Sequence, residues 1–203
     1  MARVFLLNPP TPEPVKSPLL AFCYLASSLR RAGHEVALLD ASAPFAPKSF
    51  DEIASVVADF GPDLVGLHAK TLSAQETYAT VRGLGGRWKV VVGGPHATVC
   101  PEEPLRFGAD FVIRGEAEEA LPALASYLDG VLPIADVPAL TYPGRLQPTH
   151  NPSRGFLREL DELASPLDTI ELFDPAWYGA TQPVPPVGLL SSRGCPANCT
   201  FCS

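Results

Sequence analysis

A chain of 203 residues, 46% apolar and 18% charged, can bury a substantial core and is sized for one or two domains. Its formal net charge of −7, with no local cluster of Lys or Arg, argues against a nucleic-acid or anionic-membrane surface. No apolar run approaches the roughly 18 residues of a membrane helix, Phe5-Leu6-Leu7 is too brief for a signal peptide, and the cysteines are not spread as a disulfide framework, so a cytoplasmic location is expected.

The first 130 residues read as strands alternating with helices. Val4–Leu7 is a short, wholly apolar run, as a strand covered on both faces should be. Ser17-Pro18 reads as a helix start, and Leu19, Phe22, Cys23, Ala26 and Leu29 form its apolar stripe up to Gly33. Val36–Leu39 is a second strand. Ser49 and Glu52 make a capping box ahead of Ile53, Val56, Val57 and Phe60, and Gly61-Pro62 stops that helix. Leu64–Leu67 is a third strand, and Ser73 with Glu76 repeats the capping-box pattern. Trp88–Val92 and Phe111–Ile113 supply strands four and five. A last helix from about Glu116 carries Ala117, Ala120, Leu121, Leu124 and Leu128. This alternation predicts a parallel, doubly wound α/β sheet, whose ligands sit at the carboxyl ends of the strands.

The loops at those ends narrow the options. Asn8-Pro9-Pro10-Thr11 follows strand one without a G-x-G-x-x-G, which excludes a dinucleotide fingerprint. Strand three ends in Leu67-His68, not in the acidic residue of a phospho-receiver. Gly93-Gly94-Pro95-His96-Ala97-Thr98 follows strand four, and Arg114-Gly115-Glu116-Ala117-Glu118 follows strand five. Paired glycines let a backbone approach a flat ligand, although a tight turn alone would also need them. His34 reads as a surface cap and His150 as a loop residue. His68 and His96, at strand ends, could hydrogen-bond a cofactor. Glu116 and Glu118 read first as helix-capping carboxylates.

Residues 131–182 form a proline-rich connector, with Tyr142-Pro143-Gly144-Arg145 turning between short strands at 139–141 and 146–147. Leu157–Leu163 is a short helix or acidic loop, and the Trp177-Tyr178 pair packs the connector against a domain. From residue 183 the chain turns apolar again, and Val187–Leu190 reads as a strand running into a cysteine loop.

That loop holds Cys195, Cys199 and Cys202 in a C-x3-C-x2-C spacing with Phe201 before the last thiol. A tetrahedral zinc normally takes a fourth protein ligand and favours C-x2-C pairs, whereas an iron–sulfur cluster on three thiolates leaves one iron open. Cys23 lies in a helical stripe and reads as core, and Cys100 as a loop thiol.

The triplet resembles the signature of the radical S-adenosylmethionine (SAM) superfamily. With Leu7-Asn8-Pro9-Pro10, the 93–98 loop and the 114–118 loop ahead of it, the chain resembles, over residues 2–203, the subgroup that carries a cobalamin-binding domain upstream of the cluster. The resemblance implies a five-stranded Rossmann-like cobalamin domain (1–130), the connector (131–182), and the first strand and cluster loop of a (β/α) barrel (183–203). It implies corrin-lining or loop-shaping roles for Asn8, Pro9, Pro10, Thr71, Leu72, Ser73, Gly93, Gly94, Pro95, His96, Gly115 and Glu116. Cys195, Cys199 and Cys202 would hold a 4Fe-4S cluster whose open iron binds SAM, with Arg193 and Gly194 shaping the loop. The D-x-H-x-x-G pattern that supplies a cobalt ligand elsewhere is absent around all four histidines. The implied parent is a cobalamin-dependent radical SAM enzyme, most often methylating an unactivated carbon or phosphorus. Its implied partners are a small-molecule substrate and an electron donor such as a flavodoxin or ferredoxin. A non-methylating relative, a cobalamin-binding module without catalysis and a zinc-stapled domain are the other readings. With one residue after Cys202, the barrel is expected to be truncated and the chain inactive alone.

Overall fold

The computed structural model describes residues 1–12, 16–157 and 159–183, and beyond them 185, 187–188, 190, 192–195, 197 and 199–200. One sheet organises the molecule. Its strands are β1 (Arg3–Asn8), β2 (Glu35–Asp40), β3 (Leu64–His68), β4 (Lys89–Gly93), β5 (Phe111–Ile113), β6 (Leu140–Tyr142) and β7 (Thr149–His150), in the order β2-β1-β3-β4-β5-β6-β7. The first five run parallel, and β6 and β7 continue the sheet antiparallel from β5. Five strands were expected. The stretch read as connector adds two more, because the outer edge of β5 carries open N–H and C=O groups that β6 pairs through Val112–Thr141 and Ile113–Leu140.

Helices cover both faces, so the strands read as unbroken apolar runs. On one face α1 (Leu20–Arg31) and α6 (Ala120–Leu128) pack over Val4, Leu6, Leu64, Val91 and Ile113. On the other, α2 (Phe50–Phe60) and α3 (Ala74–Leu84) pack over Phe5, Leu7, Val65, Val90 and Val92. Two short helices, α4 (Pro95–Val99) and α5 (Glu103–Arg106), fill the β4–β5 crossover.

The Ser49–Glu52 capping box forms as read: Ser49 N donates to Glu52 Oε2 at 2.8 Å, Glu52 N donates to Ser49 Oγ at 3.3 Å, and left-handed Gly61 closes the helix. The second box does not form. Thr71–Ser73 is a 3-10 turn, and no side-chain bond caps α3. Instead Ser73 is buried, and its carbonyl accepts a 3.0 Å bond from Thr77 Oγ1. α1 begins at Leu20 with extended Leu19 as N-cap, two residues beyond the Ser17-Pro18 signal. α6 begins at Ala120, not Glu116, because the carboxylates before it are held by other partners described below. The second connector strand falls at 149–150 and not at 146–147, which lie in the bend.

Cys23 is fully buried core, its thiol pushed up to about 11 by burial. His34 is buried and not a surface cap: Nδ1 faces Ala2 N at 3.3 Å and Nε2 faces Ser126 at 3.3 Å, and burial lowers its pKa. Trp177 and Tyr178 seat residues 166–178 against the α1 face. Tyr178 Oη donates to Asp40 Oδ2 at 2.6 Å, within a buried group in which Asn8 Nδ2 and Ser42 N also donate to Asp40. Of the run expected to open a barrel, Val187, Gly188 and Leu190 lie in no strand, while Pro186 and Leu189 fall outside the described residues. No helix among the described residues is long and apolar enough to cross a membrane.

Candidate cofactor cavity

A cavity of about 620 Å³ opens at the carboxyl ends of β1, β3, β4 and β5. The parallel order 2-1-3-4-5 reverses direction between β1 and β3, and such switch points are where crevices form. Gly66, Leu67 and Val91 make the floor, α1 contributes Tyr24 and Leu25, and Ala117 and Leu121 stand opposite. The volume lies in the range of small-molecule and cofactor sites, and the lining is mostly apolar.

The 93–98 loop is shaped by one position above all. Gly94 has φ 100° and ψ 177°, a conformation open almost only to glycine. A Cβ there would stand 2.7 Å from Ala69 O and 2.8 Å from His68 Cδ2. Thr98 then ties two loops together: its Oγ1 donates to Gly94 O at 2.9 Å and accepts from Gly115 N at 2.9 Å. His68 lies on the wall, edge-on to Phe22, and burial followed by the charge of Lys70 lowers its pKa to about 4. It is a neutral imidazole at physiological pH.

The other wall comes from the segment ahead of the cysteines. Leu190, Ser192, Arg193 and Gly194 line the cavity. Arg193 Nη1 lies 2.6 Å from Glu118 Oε1 and 3.3 Å from Glu116 Oε1, with its guanidinium 4.7 Å over the Tyr24 ring. Glu116 Oε2 accepts from Leu157 N at 2.6 Å. These two carboxylates therefore do not cap α6. They hold chain segments about 40 and 77 residues away.

Of the residues singled out from sequence, Gly93, Gly94, Pro95, Gly115 and Glu116 come together on the cavity wall. Asn8, Pro9 and Pro10, at the end of β1, are not on the lining, and the Asn8 amide is committed to Asp40. Thr71 and Leu72 are exposed and Ser73 buried in the turn before α3, off the lining. His96 turns away from the cavity, with Nδ1 3.2 Å from Thr71 Oγ1 and Nε2 3.2 Å from Glu103 Oε2. Cys195 and Cys199 are exposed thiols, and Cys202 lies outside the described residues. Sequence reasoning missed Thr98 and the α1 wall. α1 did carry a signal, since Leu20, Tyr24 and Leu25 widen its apolar surface beyond the single stripe that the sheet needs.

Residues 15–125 match the B12-binding domain family, and the chain belongs to it. The chain is 32% identical over 212 residues to an uncharacterised methyltransferase of Pyrococcus horikoshii, covering 99% of this chain and 45% of that protein. It is 29% identical to hopanoid C-3 methylase of Methylococcus capsulatus over 189 residues, covering 88% of this chain and 34% of that one. The chain thus spans less than half the length of these curated relatives. The fold matches that of OxsB, a cobalamin-dependent SAM radical enzyme solved with aqua-cobalamin bound (TM-score 0.72, 20% identity, 85% of this chain and 25% of that one). It also matches TsrM, a radical SAM methyltransferase of Kitasatospora setae (TM-score 0.65, 22% identity, 75% and 30%). The chain is thus a B12-binding-domain protein homologous to a protein named as a methyltransferase, with the fold seen in these two enzymes.

Proposed function

We propose that the cavity at the strand ends binds cobalamin and that the chain is the N-terminal part of a cytoplasmic radical SAM enzyme, one that transfers a methyl group from SAM to an unactivated carbon or phosphorus of a small molecule. One observation carries this reading: Leu190, Ser192, Arg193 and Gly194, just ahead of Cys195, form a wall of the same cavity that Gly66, Gly94 and Gly115 shape. A cofactor held there would lie beside the cluster loop.

The residues fit a corrin. Gly66, Gly93 and Gly115 offer backbone without side chains to a flat, largely apolar ring, and the cleft between α1 and the 117–121 segment accepts an apolar appendage. Asn8, Pro9, Pro10, Leu72 and Ser73, off the lining, keep only the loop-shaping role in the proposal, and no contact with the cofactor is assigned to Thr71 or His96. His68, held neutral, would donate or accept a hydrogen bond but carries no charge to the cofactor. Cobalamin would supply a transferable methyl group. Cys195, Cys199 and Cys202 would hold a 4Fe-4S cluster through thiolates, the donor type such clusters take, leaving one iron for SAM. Reducing equivalents would come from a flavodoxin or ferredoxin. Arg193, clamped by Glu116 and Glu118, would fix the cluster loop against the cofactor domain.

Equilibrium dialysis of the chain against hydroxocobalamin tests the first part, with one equivalent expected. Anaerobic iron and sulfide reconstitution tests the second. A labile cluster should form that is abolished by alanine at Cys195, Cys199 or Cys202 and unaffected by alanine at Cys23 or Cys100. Absence of cobalamin binding by the folded chain would refute the reading, as would an air-stable zinc ion on the triplet.

A further inference from the structure

Behind the cavity wall stands a second group of side chains that none of the above uses. Helix α4 faces the cavity through Pro95, Thr98 and Val99. His96 and Cys100, four residues apart, lie on its other side, and the turn into α5 brings Glu103 to them. The chain path is fixed by two backbone bonds, Cys100 N to His96 O at 2.9 Å and Glu103 N to Cys100 O at 3.2 Å.

We infer that His96, Cys100 and Glu103 form a divalent-metal site with one nitrogen, one sulfur and one oxygen donor, suited to Zn²⁺ and separate from the cysteine triplet. Their donor atoms all lie within 4.8 Å of one another, and the His96 Nε2–Glu103 Oε2 separation is 3.2 Å. Donors about 2.0–2.3 Å from a tetrahedral zinc stand roughly 3.5 Å apart, so a small inward movement of the Cys100 and Glu103 side chains closes the site. The second ring nitrogen is already oriented: His96 Nδ1 lies 3.2 Å from Thr71 Oγ1, the outer-shell hydrogen bond that metal-bound imidazoles usually make.

An independent observation comes from Tyr78. Its side chain is 2% exposed, stacked at 4.3 Å on Phe107, and its buried hydroxyl, beside Glu103, makes no hydrogen bond of regular geometry among the described residues. Buried hydroxyls normally have one. Burial, then the charge of Glu103, the neighbouring Cys100 and a hydrogen bond toward Glu103 raise its pKa, which sets the hydroxyl beside two of the three donors. A water on the fourth position of the metal would donate a hydrogen bond to that hydroxyl oxygen. An ion pair between His96 and Glu103 alone would leave Cys100 without a role. Binding releases the Cys100 thiol proton, so affinity rises with pH. The ion would pin α4 to α5 and so stiffen the helix that walls the cavity. The inference does not depend on the cofactor assignment.

The test uses the untagged full chain carrying Cys195→Ala, Cys199→Ala and Cys202→Ala, which removes the competing thiolates, after chelator treatment. Calorimetry with ZnCl₂ should give one ion per chain, and Co²⁺ should give a sulfur-to-cobalt charge-transfer band with tetrahedral ligand-field intensity. Adding Cys100→Ala should abolish the band. Glu103→Gln, at a part-exposed position that tolerates the change, should weaken binding at least tenfold, and Thr71→Val about 10–100-fold. Far-ultraviolet circular dichroism shows which variants are folded. No ion bound by the folded triple variant overturns the site, as does a cobalt band that survives both Cys100→Ala and Glu103→Gln.

Discussion

Gly94→Ala is the sharpest probe of how the cavity is built. At φ 100° and ψ 177° an alanine is strained by about 1–3 kcal/mol before any contact is considered. Its Cβ also meets Ala69 O at 2.7 Å, which is backbone and cannot swing away, and the His68 ring at 2.8–3.0 Å. Relieving such overpacking costs typically a further 1–3 kcal/mol. The sum is about 2–6 kcal/mol, a large part of the ~5–15 kcal/mol that holds a domain folded. Two neighbours calibrate it. Gly115→Ala, at φ 71° with no atom within 4 Å of the added carbon, should lose only about 1–2 kcal/mol. Gly93→Ala meets Ile113 O at an ordinary 3.8 Å and should lose less still. Urea unfolding followed by far-ultraviolet circular dichroism gives the three values. Hydroxocobalamin dialysis on whatever remains folded shows whether displacing His68 also closes the cavity. If Gly94→Ala proved no more costly than Gly115→Ala, the close approach of Gly94 to His68 and Ala69 would not be the constraint argued here.

Tyr178→Phe removes a 2.6 Å donor from a carboxylate that is 3% exposed, and should cost about 1.5–3 kcal/mol at pH 8. Burial already raises the Asp40 pKa, and losing a donor raises it further, so the deficit should shrink toward acid pH as the carboxyl protonates; unfolding at two pH values would show a constant deficit if this is wrong. His68 titrates near 4 in the fold and near 6.5 unfolded, so its neutral form contributes stability that is full above pH 6.5 and lost as pH falls toward 4. That component, on the order of 3 kcal/mol, should be absent from the pH profile of His68→Gln. Glu118→Gln should loosen the segment carrying Arg193, weakening hydroxocobalamin binding by roughly tenfold and exposing the chain near residue 190 to limited proteolysis. Unchanged affinity and cleavage would show that the pair does not close the wall.

The sequence alone determined what is local. The strands were legible as short apolar runs because both faces of the sheet are covered, and the Ser49–Glu52 box because its two bonds span one helical turn. The glycine loops and the cysteine spacing were visible for the same reason. Tertiary structure decided everything that depends on where the chain returns. Thr149 and His150 became a strand because β6 offered an edge, not because of their propensity. Ser73 and Glu76 carry the same capping pattern as Ser49 and Glu52, yet burial of Ser73 overrode it. Glu116 and Glu118 looked like helix caps, because a carboxylate serves a helix end or an arginine equally well and its sequence does not say which will arrive. Arg193 arrived, from 77 residues away, and with it the residues just ahead of the cysteines reached the cavity. In the same way Tyr178 reached Asp40 across 138 residues, and His96 turned from the cavity toward Cys100 and Glu103, since a five-residue helix presents only one of its sides to the strand ends.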